Sequence, residues 1–584
     1  MRRMRRPSPL PTWFHPSLEW LRLRLSRPEA LVWHAAIGLL TGLLAGAVIV
    51  GFRLAVEGAQ AAWLPEHGEN YEALAIWVRL LLPLAGALVI GVIFLRFAQG
   101  IQVLGVARVM ERMEYHQGYL TLRGFVLQFV GAAIAIVSGH SVGREGPHVH
   151  LGAASGSLLG QLFSLPNNSI RTMAACGTAA GIAASFNTPL AGVIFALEVL
   201  ALPYSIGGFI PVTLAAVSAN AVAVAVFGSA PVLLLPPFVL GSLADLLPVL
   251  LLGVLAGAVA AAYIQSLQGA ARLAGRLGGL RRYLVAGLAA GLIGVLVPEV
   301  MGLGYDTQQM LLTSQAAWGF LLVLLVAKLA ATALSVGLGI PGGNIGPALF
   351  MGAIVGNLTA VISAFFVPLD PAHVTFYTLL GMGAMMGASL QAPLAALTAI
   401  VELSHSPGVM MPGMLAIVIA ALTCRQLFGK DSMFLTLLRA KGLDYRANPV
   451  IAMLRRSGVA SVMNTGFVRQ QRLLERAKAE RLVADAPDWI IVDQEGAPSV
   501  LMPGLAVASE LARTPETAEI DLLEIPAERF ELAPIHLQAT LQEAIEQLNA
   551  RGVEALYVQR PLAPGIDHVY GVLTRGRIES AYRY

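Results

Sequence analysis

Long apolar segments alternate with short polar turns from about residue 30 to about residue 428. Several of these segments are shorter than the roughly 20 residues that a helix needs to cross a bilayer, and Gly or Pro interrupts many of them. Broken helices that end within the membrane are typical of transporters, which use them to build ion sites. The pattern predicts an all-α polytopic membrane domain with the segments 30–50, 77–97, 122–139, 170–184, 188–202, 206–227, 245–268, 283–298, 318–338, 346–366, 374–390, 392–404 and 411–428.

The membrane part of the chain contains an internal repeat. The segment 177–199 resembles 381–403 at a constant offset of 204 residues, and 143–147 resembles 343–347 at an offset of 200. Two repeats in the same order at nearly equal offsets indicate two halves of one ancestral unit, and transporters commonly arrange such halves as an inverted pair. The matching positions are Gly177 and Gly381, Pro189 and Pro393, and Glu198 and Glu402.

The composition changes after about residue 440, where charged residues become frequent. The strand-like runs 489–492 and 555–558 flank a helical stretch at 540–550, which predicts a small α/β domain of two similar units. The chain is thus divided into an N-terminal segment at 1–29, a membrane domain at 30–440 and a soluble domain at 455–584. The N-terminal segment is rich in arginine, so the positive-inside rule predicts that the N-terminus is cytoplasmic. We expect both termini on that side.

Composition narrows the class of protein. The chain is 56% hydrophobic and 13% charged, whereas an ordinary soluble domain has about 25% charged residues. The net charge of +4 is small and its basic residues lie at membrane edges, so no nucleic-acid partner is expected. Cys176 and Cys424 each lie in an apolar stretch, which argues against a disulfide or a metal site. No nucleophile–base pairing or metal-ligand spacing is found, so an enzyme is not expected.

The segment 138–150, SGHSVGREGPHVH, has the features of an anion site built from backbone. Its glycines let the backbone bend, and Pro147 suits the first turn of a following helix. A helix that begins there directs unpaired N–H groups and a positive dipole at the loop. We expect the Glu145 carboxylate to occupy the anion position, held by the same N–H groups, and to leave it on protonation. An ionisable group within a membrane segment is functional by default because its burial is costly.

A second loop, GIPGGNIGP at 339–347, also opens a helix, and Ile345 stands there at the position of Glu145. We expect the two loops to converge on one anion with a single titratable gate. Glu198 and Glu402 lie near the ends of apolar helices, where capping or a structural hydrogen bond is their expected role. Lys328 is expected at a helix end or with its ammonium group extended toward the interface.

These residues resemble the CLC family of anion channels and anion/proton antiporters. The resemblance rests on GREGP at 143–147, on the Gly177–Glu198 run with its FNTPL segment, on the GGNIGP loop at 342–347 and on the Gly381–Glu402 run. It implies a homodimer with one anion pathway per subunit and identifies Glu145 as the gating residue. The anion-binding residues that it implies are Gln99, Gly100, Ile101, Gly143, Arg144, Gly146, Gly343, Asn344, Ile345, Gly346 and Phe434.

Four positions of the membrane domain depart from the family's pattern, and one of them is Gln102, which replaces the proline of the first loop. Gln99 replaces the serine of the usual GSGIP loop, and Phe434 falls where the family has a tyrosine, so both side-chain donors are changed. Chloride or another small anion is the expected substrate. Val199 stands where antiporters often carry a second glutamate that takes up protons, and valine cannot carry a proton. The resemblance therefore favours a passive channel gated by Glu145, with anion/proton antiport as the alternative.

The C-terminal part resembles a pair of CBS domains, at roughly 455–515 and 530–584. Thr574 and Arg577 fall at the positions of a possible adenine-nucleotide site, but Arg577 replaces the usual aspartate. A structural or dimer-stabilising role is expected instead, with no cofactor. A membrane-embedded nucleotide sensor is a further alternative. Short extra-membrane loops and the frequent arginines lead us to expect a bacterial inner membrane.

Overall fold

The computed structural model describes residues 23, 25, 30–65, 69–98, 104–202, 204–228, 246–365, 371–443, 449–494, 497–514, 517–563 and 566–581. The chain forms two compact units. The membrane unit comprises His34–Gln161 and Ile170–Ala447, and the soluble unit comprises Met1–Trp33, Leu162–Ser169 and Asn448–Tyr584. The N-terminal segment predicted at 1–29 lies almost entirely outside the described residues.

The membrane unit is built from helices. Those before residue 230 are α1 (Leu31–Trp63), α2 (Ile76–Phe97), α3 (Gly105–Tyr115), α4 (Leu122–Val137), α5 (Glu145–Leu162), α6 (Asn167–Phe186), α7 (Pro189–Val199) and α8 (Ile206–Phe227). Those after it are α9 (Leu246–Leu277), α10 (Arg281–Leu296), α11 (Tyr305–Thr313), α12 (Trp318–Gly337), α13 (Ile345–Ser363), α14 (Pro371–Leu390), α15 (Pro393–Ser404), α16 (Met410–Leu422) and α17 (Met433–Arg439). Single turns of 3₁₀-helix lie at Pro298–Val300 and Pro407–Val409, and a π-helical turn at Thr423–Leu427.

The helices of this unit face a bilayer. Within the described ranges, seven helical segments are long and apolar enough to cross a membrane, and α4, α7 and α15 are shorter apolar helices. Many large apolar side chains are exposed, among them Leu88, Val92 and Leu95 of α2, and an apolar surface of this extent is suited to contact with lipid. The chain is an integral membrane protein with broken helices, as its sequence predicts.

The repeat in the sequence is a repeat in the structure. Helices α5, α6 and α7 correspond to α13, α14 and α15 at the offsets seen in the sequence. A Cβ atom added at Gly152 of α5 would lie 2.1 Å from the carbonyl oxygen of Gly177 of α6. One added at Gly352 of α13 would lie 2.4 Å from the carbonyl oxygen of Gly381 of α14. Both helix pairs approach so closely that only glycine fits at the crossing, which confirms two repeated halves.

Glu198 and Glu402 join the two halves by reciprocal helix capping. The Glu198 carboxylate accepts from the backbone N–H groups of Leu394 and Ala395 in the first turn of α15, at 3.1 and 2.7 Å. The Glu402 carboxylate accepts from Leu190 and Ala191 in the first turn of α7, at 3.0 and 2.8 Å. Each carboxylate satisfies N–H groups that have no partner within their own helix. The capping role predicted for both residues is confirmed.

Lys328 is not at a helix end, so that prediction is wrong. It lies in the middle of α12 with its side chain fully buried. Its ammonium group donates to the carbonyl oxygen of Val300 at 3.1 Å and lies 4.4 Å from the centre of the Phe350 ring. These contacts replace the hydration that an extended side chain would have found at the interface. The free thiols of Cys176 and Cys424 are buried, as expected for small packed residues.

The soluble unit contains α18 (Pro449–Leu454), α19 (Val459–Val462), α20 (Arg476–Ala484), α21 (Leu505–Arg513), α22 (Leu541–Arg551) and α23 (Arg575–Ala581). Its strands are β1 (Phe467–Gln471), β2 (Leu473–Glu475), β3 (Trp489–Gln494), β4 (Ala497–Pro503), β5 (Glu519–Asp521), β6 (Phe530–His536), β7 (Ala555–Ala563) and β8 (Ile566–Thr574). One sheet has the strand order β1-β3-β4-β6-β7-β8, and β2 pairs with β5.

The large sheet of the soluble unit also repeats. Strand β1 pairs in parallel with β3 and β3 antiparallel with β4, while β6 pairs in parallel with β7 and β7 antiparallel with β8. A helix, α20 or α22, connects each parallel pair. Thr540 caps α22 in a capping box with Glu543, which confirms the predicted helix start. The small α/β domain of two similar units is present.

Candidate anion site

The two glycine-rich loops meet in the membrane unit. The Gly143 N–H donates to the carbonyl oxygen of Gly343 at 2.8 Å, and the Gly343 N–H donates to that of Gly143 at 2.7 Å. This isolated bridge is antiparallel, as halves related by a twofold axis in the membrane plane require. A Cβ atom at Gly343 would lie 2.7 Å from the Gly146 nitrogen, so the approach needs glycine. The predicted convergence of the loops is confirmed.

Glu145 is the first residue of α5, and its side chain is fully buried. Its Oε2 accepts from the Gly346 N–H at 3.0 Å, and its Oε1 accepts from the Tyr305 hydroxyl at 2.8 Å. The prediction that its own loop and helix hold the carboxylate is therefore wrong. A side chain at the start of a helix points away from the helix body, so this carboxylate reaches the opposing N-terminus of α13. Both donors to this carboxylate thus come from the second half of the chain.

Tyr305 is the site residue that the sequence did not reveal. It begins α11 directly after Gly304, whose φ of 74° lies in the left-handed region. Its ring lies beneath the Arg144 guanidinium, with 4.8 Å from the guanidinium carbon to the ring centre. A signal existed in the Gly302-Leu303-Gly304 sequence, since paired glycines before a helix also mark the two anion loops.

Arg144 turns toward α1. Its Nη1 lies 3.6 Å from Oε1 of Glu57, and the same oxygen accepts from Arg53 at 2.5 Å. Arg53 and Glu57 are four residues apart within a 33-residue apolar helix. Charged groups at that position are costly and could have been singled out from the sequence. These ion pairs hold the guanidinium on the α1 side of the loop that carries Glu145.

Two cavities approach Glu145. Arg144 and Tyr305 line one of about 470 Å³, here called the Arg144 cavity. Gly146, Asn344 and Phe434 line another of about 600 Å³, here called the Phe434 cavity. The two chain neighbours of Glu145 thus face different cavities, and its buried side chain lies between them. A side chain in this place can separate the two openings of a pathway.

Charged residues of both signs line the Arg144 cavity, whereas those lining the Phe434 cavity within the described residues are basic. The Arg144 cavity has acidic and basic groups, namely Arg53, Glu57, Glu69, Arg144 and Asp306. In the described residues, the charged groups lining the Phe434 cavity are Arg282 and Lys441, both basic. Burial and the neighbouring Arg282 lower the pKa of Lys441 to about 8, so it stays mostly charged near neutral pH. The Phe434 cavity is suited to attracting anions.

Ile345 is buried as the first residue of α13, in the place that Glu145 has in α5. Val199 is the buried last residue of α7 and follows the capping Glu198. Gln99, Gly100 and Ile101 lie outside the described residues.

Thr574 ends β8, and Arg577 donates from Nε to the carbonyl oxygen of Val462 at 2.6 Å. Groups of three or more His, Cys, Asp or Glu placed to hold a metal are absent from the described part of the chain.

Comparison with known proteins identifies related sequences and folds. The profile of the family described as voltage gated chloride channel matches residues 86–425. A putative chloride channel protein ClcB-like from Ralstonia nicotianae is 34% identical over 358 residues, which are 60% of this chain and 83% of that protein. An H(+)/Cl(-) exchange transporter ClcA from Vibrio cholerae is 29% identical over 415 residues, 69% of this chain and 88% of that protein. The crystal structure of a eukaryotic CLC transporter has a TM-score of 0.60 at 19% identity, covering 96% of this chain and 98% of its own.

Proposed function

Since the chain belongs to the CLC family and its membrane unit transports anions, we propose that it exchanges chloride for protons across the membrane. The observation that carries this proposal is the Glu145 carboxylate, which accepts hydrogen bonds from Gly346 and Tyr305 between two cavities. A carboxylate that competes with an anion for the same donors leaves more readily when it is protonated. Proton binding and anion binding at this position are therefore linked.

The similarity to an H(+)/Cl(-) exchange transporter favours exchange over the passive channel that Val199 suggests. An apolar residue at 199 removes one acidic relay, but a proton route to Glu145 does not have to pass through position 199. Cavities of about 470 and 600 Å³ adjoin the residues on either side of it and are large enough to hold many water molecules. We infer that water in these cavities brings protons to and from Glu145.

Uphill transport distinguishes exchange from conduction. Proteoliposomes are prepared with an acidic interior, equal chloride on both sides and the membrane voltage held at zero with potassium and valinomycin. Proton exit through an exchanger then drives chloride into the vesicles against its gradient, whereas a passive channel leaves chloride at equilibrium. Net chloride accumulation supports the proposal, and its absence with active downhill flux overturns it.

A passive anion channel is the second candidate. Val199, which cannot carry a proton, favours it, and so does the similarity to a putative chloride channel protein. Under this alternative Glu145 would open and close the pathway without transferring protons between the two sides. The assay described above separates the two functions because only exchange couples the two gradients.

We further propose a homodimer in a bacterial inner membrane with both termini in the cytoplasm. The Arg144 cavity then opens to the outside, because its α1 residues lie in the second half of a helix that starts at the cytoplasmic end. Glu72→Cys in the exposed loop before α2 should react with a membrane-impermeant maleimide from outside. Both native cysteines are buried, so they give little background. Labelling only in inverted vesicles would show that the orientation is the opposite of the one proposed. For the dimer, the test is the mass of the protein in detergent, and the mass of a single subunit would contradict it.

A further inference from the structure

The donors that hold Glu145 are groups that can also hold an anion. The Tyr305 hydroxyl donates to Oε1 at 2.8 Å and the Gly346 N–H donates to Oε2 at 3.0 Å. Carboxylates and halides both accept hydrogen bonds, so the carboxylate oxygens mark where a small anion could be bound. One of these donors is a side chain, and the identity of a side chain can be changed by substitution.

Tyr305 is held in place without help from Glu145. Its backbone follows the left-handed Gly304, where an added Cβ atom would lie 2.6 Å from the Phe350 ring. Glu69 accepts from the Gly304 N–H at 3.2 Å and lies 3.5 Å from the Tyr305 nitrogen. The Arg144 guanidinium covers the face of the Tyr305 ring. The hydroxyl therefore stays at the site when the Glu145 side chain moves away.

A donor left behind in this way needs a new acceptor. A buried polar group without a hydrogen-bond partner carries a desolvation penalty, and a bond to a charged acceptor is stronger than one to a neutral acceptor. The neighbouring Arg144 makes the position favourable for negative charge. On the other side of Glu145, Phe434 lines its cavity without a hydroxyl, so this side chain offers no comparable donor there.

We propose that Tyr305 is a direct ligand of the transported anion and binds it through its hydroxyl, together with the Gly346 N–H, when the Glu145 carboxylate is absent. The ligand is a small monovalent anion such as chloride. Because O–H donors bind charge-dense anions most strongly, the hydroxyl also favours chloride over larger, weakly hydrated anions. This inference rests on anion transport by the membrane unit and not on proton exchange.

The test removes the competing carboxylate first. Chloride binding to purified Glu145→Ala protein is measured by calorimetry at constant pH, with and without Tyr305→Phe. We expect Tyr305→Phe to weaken chloride binding about tenfold, the loss typical of one hydrogen bond to a charged group. The control is Tyr71→Phe, which removes another buried hydroxyl, one that donates to the Ile136 carbonyl oxygen at 2.8 Å. It should leave chloride affinity unchanged.

Equal chloride affinity with and without the Tyr305 hydroxyl would overturn the proposal, because Tyr305 would then hold only the gate. A second measurement applies if the variants bind too weakly for calorimetry. Flux of chloride relative to thiocyanate in Glu145→Ala vesicles should shift toward thiocyanate when Tyr305 becomes Phe, and an unchanged ratio would contradict the assignment. Neither readout depends on proton movement, so a failure of exchange leaves this inference testable on its own.

Discussion

The two anion loops have nearly the same backbone and different central side chains. Gly143–Pro147 and Gly343–Pro347 each open a buried helix, and they pair through one antiparallel bridge. The first carries Glu145 at the start of its helix and the second carries Ile345. The repeated backbone supplies N–H donors, whereas the single unmatched carboxylate supplies a group that can bind a proton. The two loops thus share a backbone and differ at the one position where the first has a titratable carboxylate.

The two cavities beside the loops also differ, in the charge of the residues that line them. The Phe434 cavity has basic charged residues and the Arg144 cavity has mixed charges. The basic lining on one side is suited to anions, while the lining on the other side includes acidic groups. The reciprocal caps of Glu198 and Glu402, by contrast, are alike in both halves. We therefore expect substitutions at matched positions to have matched effects on stability, and substitutions at Glu145 to act mainly on transport.

Removing the charge of the first loop, so that it is neutral like the second, should have the largest effect on transport. Glu145→Gln keeps the size of the side chain but cannot ionise, so we expect proton movement to be lost completely while chloride flux continues. The measurement is chloride efflux from proteoliposomes with external pH recorded. As a control, Glu72→Gln on the loop before α2 should retain full coupling. Continued proton movement in Glu145→Gln would remove the carboxylate from the mechanism.

Pushing apart the two anion loops, Gly143–Pro147 and Gly343–Pro347, should have the next largest effect on anion flux. A Cβ atom at Gly343 would lie 2.7 Å from the Gly146 nitrogen and 2.8 Å from the Gly143 carbonyl oxygen, both rigid backbone atoms. Gly343→Ala should lower anion flux at least about tenfold and destabilise the fold by roughly 1–3 kcal/mol. Gly51→Ala of α1 is the matched control, because nothing lies within 4 Å of the added atom. Equal behaviour of the two variants would mean that the close approach is not needed.

The reciprocal caps at Glu198 and Glu402 test whether equivalent contacts in the two halves contribute equally to stability. Glu198→Gln and Glu402→Gln each weaken charge-assisted hydrogen bonds to two N–H groups at the start of the opposite helix. We expect each to lower stability by about 1 kcal/mol. Thermal unfolding in detergent should show similar decreases in melting temperature for both. A decrease in only one variant would show that the two contacts are not equivalent.

Loss of one positive charge from the lining of the Phe434 cavity should have the smallest effect on anion flux. The pKa of Lys441 is lowered to about 8, so its positive charge is present at pH 7 and is lost as pH rises through 8. Anion flux from this side should fall two- to threefold between pH 7 and pH 9, as expected for the loss of one guiding charge. Lys441→Met should remove most of this decline and give the lower flux throughout. An identical pH profile in both proteins would exclude Lys441 as its cause.

Much of the fold could be predicted because its signals are local. Glycines and prolines mark the broken helices, and Gly177, Gly381, Pro189 and Pro393 reveal the repeat before any contact is known. That Glu198 acts as a cap also follows from its place near a helix end, whereas the N–H groups that it caps lie in the distant α15 and were not predicted. These inferences need only short-range rules about where helices start and stop.

The donors to Glu145 could not be predicted because they come from distant parts of the chain. Tyr305 is 160 residues away and Gly346 is 201 residues away. The same reason explains the error at Lys328, whose partners Val300 and Phe350 come from neighbouring elements. Val199 favoured a passive channel when taken alone, whereas the cavities on both sides of Glu145 and the related exchange transporter favour proton coupling.

The most direct test of the central claim is chloride efflux from proteoliposomes containing the unmodified chain, with external pH recorded at the same time. If Glu145 couples the two ions, protons enter as chloride leaves, and external pH rises in fixed proportion to the chloride released. If chloride leaves freely while external pH stays flat, the carboxylate gates a passive channel and the proposed exchange is wrong.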